Sequence, residues 1–478
     1  MTKTVSSDLQ FLKADICIIG AGSGGLSVAA GAAQMGAKVI LFEGHKMGGD
    51  CLNTGCVPSK ALLAAGKAAY YGQGKAEMGV TASVTVDFAK AKDHVRDTIE
   101  TIAPHDSVER FESLGVTVIS ETAQFASSKE VISATYRVQA RYFVIATGST
   151  AFVPPIDGLS TTPYWTNETL FQESEKPEHL AIIGGGPIGI EMAQAHRRLG
   201  CDVTVIEAMR LLPRDDEALV DILRDKLIDE GIVICENRAV SAVSRKDKAT
   251  QITLQDGQVI SASHLLIAAG RRPNIETLNL SSAGVKFNKM GIITDRRLRT
   301  SKKHIFAIGD VAGRQQFTHI AGYHAGIIIR NMLFKLPARI SDKAVPWVTY
   351  TDPELAHVGL SKSDAIEQYG ERHITQLEWP LLENDRAIAE KRTEGLIRVI
   401  VTKKGHILGA SILAPHAGEM IASWSLAISE GLKIGAMASA IAPYPTYGEA
   451  SKRVAGSFFT PSLFSARTRA IVSRLVKW

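Results

Sequence analysis

The chain has 478 residues, enough for about two to four domains with sizeable cores, and its 45% hydrophobic, 22% charged composition is ordinary for a globular protein. A net charge of +5 is small for this length and is partly concentrated in the last dozen residues, which excludes a nucleic-acid-binding stripe. Five scattered cysteines exclude a secreted disulfide framework, and the polar start "MTKTVSSDLQFLK" lacks an apolar signal core, so a cytoplasmic, reducing setting is expected.

The first predicted element is the apolar run in "DICIIGAGSGG", which ends in Gly20, Gly22 and Gly25. An alanine-rich helical segment follows, then "KVILFE", a second strand ending at Glu43. The stretch from "ICIIG" onward is almost uncharged over a length that would span a bilayer, but its glycines favour a strand, a tight turn and a buried helix. In this βαβ pattern Gly20 allows the turn, Gly22 lets backbone N–H groups approach a pyrophosphate, and Gly25 lets helix and strand pack closely. Glu43 falls where an acid would hold a ribose hydroxyl.

"GGDCLNTGCVPSK", residues 48–60, then brings together Gly49, Cys51, Cys56 and Lys60. Alone, the stretch leaves open a redox pair, a metal clip or two neighbouring core cysteines. "FVIATGS" (143–149), with Gly148, reads as a strand ending in a small-residue turn. The glycine unit recurs in "HLAIIGGGPIGIEMAQAHRRLGCDVTVIE", with Gly184, Gly186, Gly189 and Glu207; in both units the acid lies 18 residues after the third glycine. Two such folds imply two dinucleotides, one reducing the other. "LLIAAGRRPN" (265–274), with Gly270, repeats the strand-and-turn pattern, so each such segment fits closure of one nucleotide site. "IFAIGDVAG" ends at Asp310, a carboxylate suited either to a sugar or ribityl hydroxyl or to a plain turn. Cys17, Cys201 and Cys235 sit in or beside apolar strands and read as core residues.

From about residue 13 to 455 these motifs, with "YTDPELAHVGL" and "ILGASILAPHAGEMI", resemble in order those of the class I pyridine nucleotide-disulfide oxidoreductases, which include dihydrolipoamide dehydrogenase, glutathione reductase and mercuric reductase. The resemblance implies an α/β fold: two Rossmann-like dinucleotide-binding domains, for FAD and NAD(P), plus a C-terminal α+β dimerisation domain. The expected boundaries are 1–157 and 279–345 for the FAD domain, 158–278 for the nicotinamide domain and 346–478 for dimerisation. It implies a homodimer in which Cys51 and Cys56 form the redox disulfide, Cys56 facing the flavin and Cys51 attacking the substrate. Five residues of regular helix rise about 7.5 Å, too far for an unstrained bridge, so Gly55 and Pro58 are expected to distort the helix start. Lys60 matches the lysine beside the flavin N5, and Glu191 its usual ion-pair partner. Glu207 favours NADH, because a carboxylate accepts from a ribose 2′-OH and repels a 2′-phosphate; NADPH stays open through Arg210 and Arg214.

The pattern breaks near the C-terminus. Dithiol members carry His-Pro-Thr, with Glu three residues later, whereas "APYPTYGEA" aligns Pro445, Thr446 and Glu449 but has Tyr444 in the histidine's place. Tyrosine is a poor general base at neutral pH. Mercuric reductases have a similar "APY", but here the tail lacks cysteine and no C-x-x-C pair precedes residue 13, so the metal-delivery thiols are expected to be missing. The reading is therefore NADH to FAD to the Cys51–Cys56 disulfide, then to an acceptor near Tyr444 and Glu449 of the partner subunit: a small-molecule or protein disulfide, a quinone-like compound or a soft metal ion. Mercuric-ion reduction, or a dihydrolipoamide dehydrogenase-like subunit that chiefly assembles with a partner, are the alternatives. Phe464, Ile471, Val472, Leu475 and Trp478 recur at helical spacing with Arg467, Arg474 and Lys477 mostly off that stripe, as in a helix that packs on its own domain or in a membrane-surface or partner-binding helix.

Overall fold

A computed structural model describes residues 9–477; residues 1–8 and Trp478, the last member of the tail stripe, lie outside the described residues. The chain forms two compact units, one of residues 9–184, 241–253 and 259–341, the other of residues 185–240, 254–258 and 342–477.

The first unit is built on parallel strands. Their spatial order is Val116–Ile119, Val39–Phe42, Gln10–Ile19, Tyr136–Ile145, then Ile305–Ala307. Beside Ile305–Ala307 the same edge of Tyr136–Ile145 carries the antiparallel pair Glu130–Ile132 and Gln124–Ser127. Near-continuous apolar runs such as "VILF" suit strands covered on both faces. Ile16, Ile18, Leu41 and Val144 pack on one side with Leu26 and Ile328, while Cys17, Ile19, Ile40 and Phe143 pack on the other with Phe125 and Val311. The helix Ser23–Gln34 lies against Thr318–Met332, and Gly31 leaves no space between them: a Cβ there would sit 2.7 Å from the Ile329 side chain. Residues 10–34 are thus strand, turn and helix, and among the described residues no helix is long and apolar enough to cross a membrane.

The second glycine unit begins with His179–Ile183, which pairs in parallel with His264–Ile267. After the turn comes the helix Pro187–Arg198, with its proline at the first position, where a missing N–H costs nothing. Asp202–Ile206 then pairs in parallel with Val233–Cys235. The C-terminal part of the second unit is an antiparallel sheet in the order Pro346–Thr349, Glu354–Gly359, Ile407–Ala414, Leu396–Thr402, Ile374–Pro380. Trp424 on the helix Ala417–Ser429 is fully buried against this sheet's core, with Val454 of Glu449–Ser457 beside it.

Candidate redox and nucleotide sites

Cys51 lies in the short helix Gly49–Asn53 and Cys56 opens the long helix Cys56–Gly72. The break between them falls at Thr54–Gly55, where a Cβ on Gly55 would meet the Asp50 carbonyl oxygen at 2.9 Å. Pro58 sits in the first turn of the following helix, a place that tolerates proline, so the change of direction belongs to Gly55. The fold brings the sulfurs close enough to share a hydrogen bond, both as free thiols. That bond, donated by Cys51, is the main cause that holds the Cys56 thiol down to about 6; the Thr318 hydroxyl and Lys60 act the same way, against partial desolvation and Asp50. Cys51 is pushed up by the same bond, by burial and by the charge on Cys56. The Thr318 Oγ1 is 3.3 Å from Cys56 Sγ and donates to it when the sulfur is ionised. Cys56, Thr318 and Ser23, whose hydroxyl reaches Cys51, each open a helix, so three positive helix ends converge on the pair.

The flavin-side residues of the first unit fit FAD. Gly20 has φ +103°, and a Cβ there would meet the Ala146 oxygen at 2.5 Å, while Gly25 is pressed still closer to the Gly20 oxygen, at 1.9 Å from a would-be Cβ. A Cβ on Gly22 would meet nothing nearer than the Gly49 Cα, at 3.9 Å, so an open cradle lies over the helix start. Glu43 reaches back into this turn: its Oε2 accepts from the Ala21 N–H at 2.6 Å and its Oε1 from His45 N–H at 2.8 Å, leaving lone pairs for a ribose hydroxyl. The Gly148 turn is left-handed, with φ +66°. Asp310 is raised from the usual carboxylate range by burial, offset by the Ser149 hydroxyl that donates to it at 2.5 Å and by Arg271. Lys60 lies one turn beyond Cys56 and donates to Ser59 at 3.3 Å.

Five residues outside the predicted set, Thr318 among them, tie these parts together. Arg271 donates to Ser149 Oγ at 2.7 Å and lies 3.2 Å from Asp50 Oδ2; Asn167 donates to Asp50 Oδ1 at 2.9 Å. The segments "ATGS" and "AAGRRPN" pair with one another, Arg271 opposite Ala151 and Pro273 opposite Ser149. Nothing local in the sequence marks Asn167 or Thr318; Ser149 and Arg271 were visible only as parts of their motifs.

In the second glycine unit Gly184 has φ +121°, and a Cβ there would strike the Ala268 oxygen at 2.3 Å; Gly270 has φ +120°. Gly186 has open space where its Cβ would be, and Gly189 is buried in the helix Pro187–Arg198. Glu207 repeats the geometry of Glu43: its Oε2 accepts from Gly185 N–H at 2.6 Å and its Oε1 from Met209 N–H at 2.9 Å. Gly186, Gly189 and Glu207 are of the kind that fits a nicotinamide dinucleotide. The Arg210 guanidinium donates to the carbonyls of Pro213 and Asp215, at 3.4 and 3.1 Å, so it is held by its own loop. Glu191 is buried, and its Oε1 accepts from the Tyr350 N–H at 2.8 Å. Cys17 and Cys201 are fully buried, and burial lifts Cys17 and the half-buried Cys235, as expected of inert thiols.

Tyr444 is 66% exposed, and its hydroxyl donates to Asp385 Oδ2 at 2.7 Å, a bond that raises its pKa. Glu449 pairs with Arg453 at 2.7 Å instead. Beside them Arg386, His416, Met420, Thr446, Tyr447 and Gly448 line a cavity of about 260 Å³. His319 stacks on Phe317 with rings 5.2 Å apart.

Residues 14–325 match the family profile described as "Pyridine nucleotide-disulphide oxidoreductase", and residues 345–455 match that family's dimerisation domain. A mercuric reductase of Staphylococcus aureus is 33% identical over 93% of this chain and 82% of its own length. Dihydrolipoyl dehydrogenase 3 of Haloarcula marismortui is also 33% identical, over 91% of this chain and 94% of its own. The chain is similar in structure to the HOCl-induced flavoprotein disulfide reductase RclA from Escherichia coli, solved as a Cu(II) complex, with a TM-score of 0.84, 29% identity and coverage of 92% of this chain and 99% of that one.

Proposed function

Because this chain belongs to the pyridine nucleotide-disulphide oxidoreductase family, whose members are FAD-dependent and use NAD(P)H, we propose that it carries electrons from NADH to the Cys51–Cys56 pair and on to an acceptor at a homodimer interface. FAD, held by the Gly20–Gly25 turn, Glu43, Gly49, Gly148 and Asp310, supplies the exchange between a hydride and a dithiol. The nicotinamide nucleotide is held by Gly184, Gly186, Gly189, Glu207 and Gly270. Lys60, one turn beyond Cys56, is the cation that steadies charge beside the flavin, and Glu191 is a buried carboxylate of the second unit.

The observation that carries this reading is the cysteine pair set where three helix N-termini meet, with the Thr318 hydroxyl 3.3 Å from Cys56 Sγ. When the disulfide takes up two electrons and one proton, the S–S bond breaks, Cys51 keeps the proton and Cys56 remains a thiolate. With a disulfide acceptor, Cys51 forms a new S–S bond as the acceptor's own breaks, and its proton goes to the sulfur that leaves; Cys56 then displaces the mixed disulfide and restores the pair. Tyr444 of the partner subunit serves this step poorly, because its hydroxyl is held protonated by Asp385. That favours an acceptor needing no proton relay, and a thiophilic metal ion such as Hg(II) or Cu(II) is the second reading. Both sulfurs, once Cys51 has released its proton to solvent, would displace its solution ligands and hold it, and a further NADH would supply the two electrons that reduce it; the likeness to mercuric reductases and to RclA supports this.

The test is anaerobic NADH titration of the flavoprotein, followed by an acceptor screen with lipoamide, glutathione disulfide, quinones, Hg(II) and Cu(II). A long-wavelength thiolate–flavin absorbance should appear in the wild type and vanish in Cys56→Ser. Its survival in that variant would refute the sulfur assignment. An enzyme that binds FAD as a dimer but shows no NADH-driven bleaching would instead be an assembly subunit.

A further inference from the structure

Residues 450–478 hold six lysines and arginines and no acidic residue, so the net charge of +5 is more than accounted for by this tail. The match to the dimerisation domain ends at residue 455, before the helix Ala466–Leu475 begins. No residue of that helix is buried; Phe464, Ile471, Val472, Leu475 and Val476 are between 48% and 79% exposed. At 100° per residue, Ile471, Leu475, Val472 and Val476 cover one arc, shared with Thr468, with Arg467 and Arg474 on one side and Arg469 on the other; Phe464 lies just before the cap. Ser465 caps the helix by accepting from the Thr468 N–H at 3.2 Å, so its start is fixed locally.

We propose that the helix Ala466–Leu475 docks the enzyme onto an anionic lipid surface, its apolar arc in the headgroup boundary and its arginines among the lipid phosphates. Charge complementarity selects this occupant. A second copy would bring two acid-free basic helices together, and like charges repel. An anionic bilayer instead attracts every base at once and offers an apolar layer to the exposed arc. A homodimer carries two such helices, which offsets the modest hold of a short one. The inference is independent of the acceptor's identity.

The experiment is co-sedimentation of the FAD-loaded enzyme with vesicles of phosphatidylcholine alone and of phosphatidylcholine with phosphatidylglycerol, at low and high salt. Partitioning should be at least about tenfold stronger on the anionic vesicles and should fall with salt. The triple variant Arg467→Gln, Arg469→Gln, Arg474→Gln should partition on the order of 100-fold less, at about fivefold per base. Ile471→Asp with Leu475→Asp should abolish binding, while NADH-driven flavin bleaching in both variants shows an intact core. Equal binding to both vesicle types, binding to neither, or binding that survives both variants would overturn the proposal. So would a solution mass above that of a dimer that drops to the dimer in Ile471→Asp with Leu475→Asp, since the arc would then cover another copy.

Discussion

Thr318→Val removes one hydroxyl and keeps the side-chain shape. In the wild type that hydroxyl lies 3.3 Å from Cys56 Sγ and helps hold the thiol near 6, from an ordinary value of 9.0. A hydrogen bond to a charged group contributes about 1.5–3 kcal/mol; sulfur is a diffuse acceptor and Cys56 is open to water, so the low end applies. At 1.36 kcal/mol per unit, the Cys56 midpoint should rise by about one unit, to roughly 7. At neutral pH the thiolate share would drop from about nine-tenths to about half. The assay is a pH titration of the long-wavelength absorbance in the two-electron-reduced enzyme, for wild type, Thr318→Val and Thr318→Ser. Thr318→Ser keeps the hydroxyl and should restore most of the wild-type midpoint. If Thr318→Val titrates within a few tenths of a unit of wild type, the thiolate owes nothing to this contact, and Cys51 with the helix ends suffices.

Glu207 should make NADH better than NADPH in kcat/KM by about tenfold or more, since 1.4 kcal/mol is a factor of ten; equal values in steady-state kinetics would point back to Arg214. Wild-type lipoamide reduction should lag NADH-driven flavin reduction by about 10²–10⁴-fold, and Tyr444→His should speed it, as read by stopped-flow of both half-reactions. A wild type whose two half-reactions are equally fast would remove the need for a base at this position. Asp215, buried and bonded to Trp347 Nε1 at 2.8 Å, has its carboxyl raised to about 6 by burial. Its raised folded value means that the unfolded chain loses this proton first, so its ionisation erodes stability as pH climbs from about 4 to about 6. Asp215→Asn keeps an acceptor for Trp347 and should add about 1–3 kcal/mol above that window and nothing below it. Denaturation midpoints that shift equally at acid and neutral pH would contradict this.

The local elements were legible because their causes are local. Gly20 and Gly184 can be read from the sequence, since only glycine tolerates φ beyond +100° against a neighbouring carbonyl. The cysteine pair was legible as a motif, and Gly55 explains in steric terms why five residues suffice. What escaped the sequence is set by contacts between distant segments. Thr318 lies 262 positions from Cys56, and no pattern in "FTHIAGYHAG" announces that its helix ends on a sulfur. Asp385 was invisible for the same reason, and with it the bond that turns Tyr444 away from proton transfer. Glu449, which aligns with the acid of the dithiol members, pairs with Arg453, four positions on and one helical turn away.

Arg198, at the end of the helix that follows the second glycine turn, grips Glu230 at 2.7 Å and Asp352 at 3.0 Å, and Arg392 also bonds Asp352. Gln194 and Asp352 exchange two further bonds, Gln194 Nε2 to the Asp352 carbonyl at 3.0 Å and Asp352 N–H to Gln194 Oε1 at 2.8 Å. Two positive and two negative groups cancel there almost out of reach of water, and none can leave without stranding the others. The helix Pro187–Arg198 and the antiparallel sheet are therefore expected to open together, as a single cooperative unit in hydrogen exchange. Nicotinamide nucleotide bound at Glu207 would slow amide exchange in Leu396–Thr402 and Ile407–Ala414, so that occupancy of the coenzyme site is reported by the dimerisation sheet.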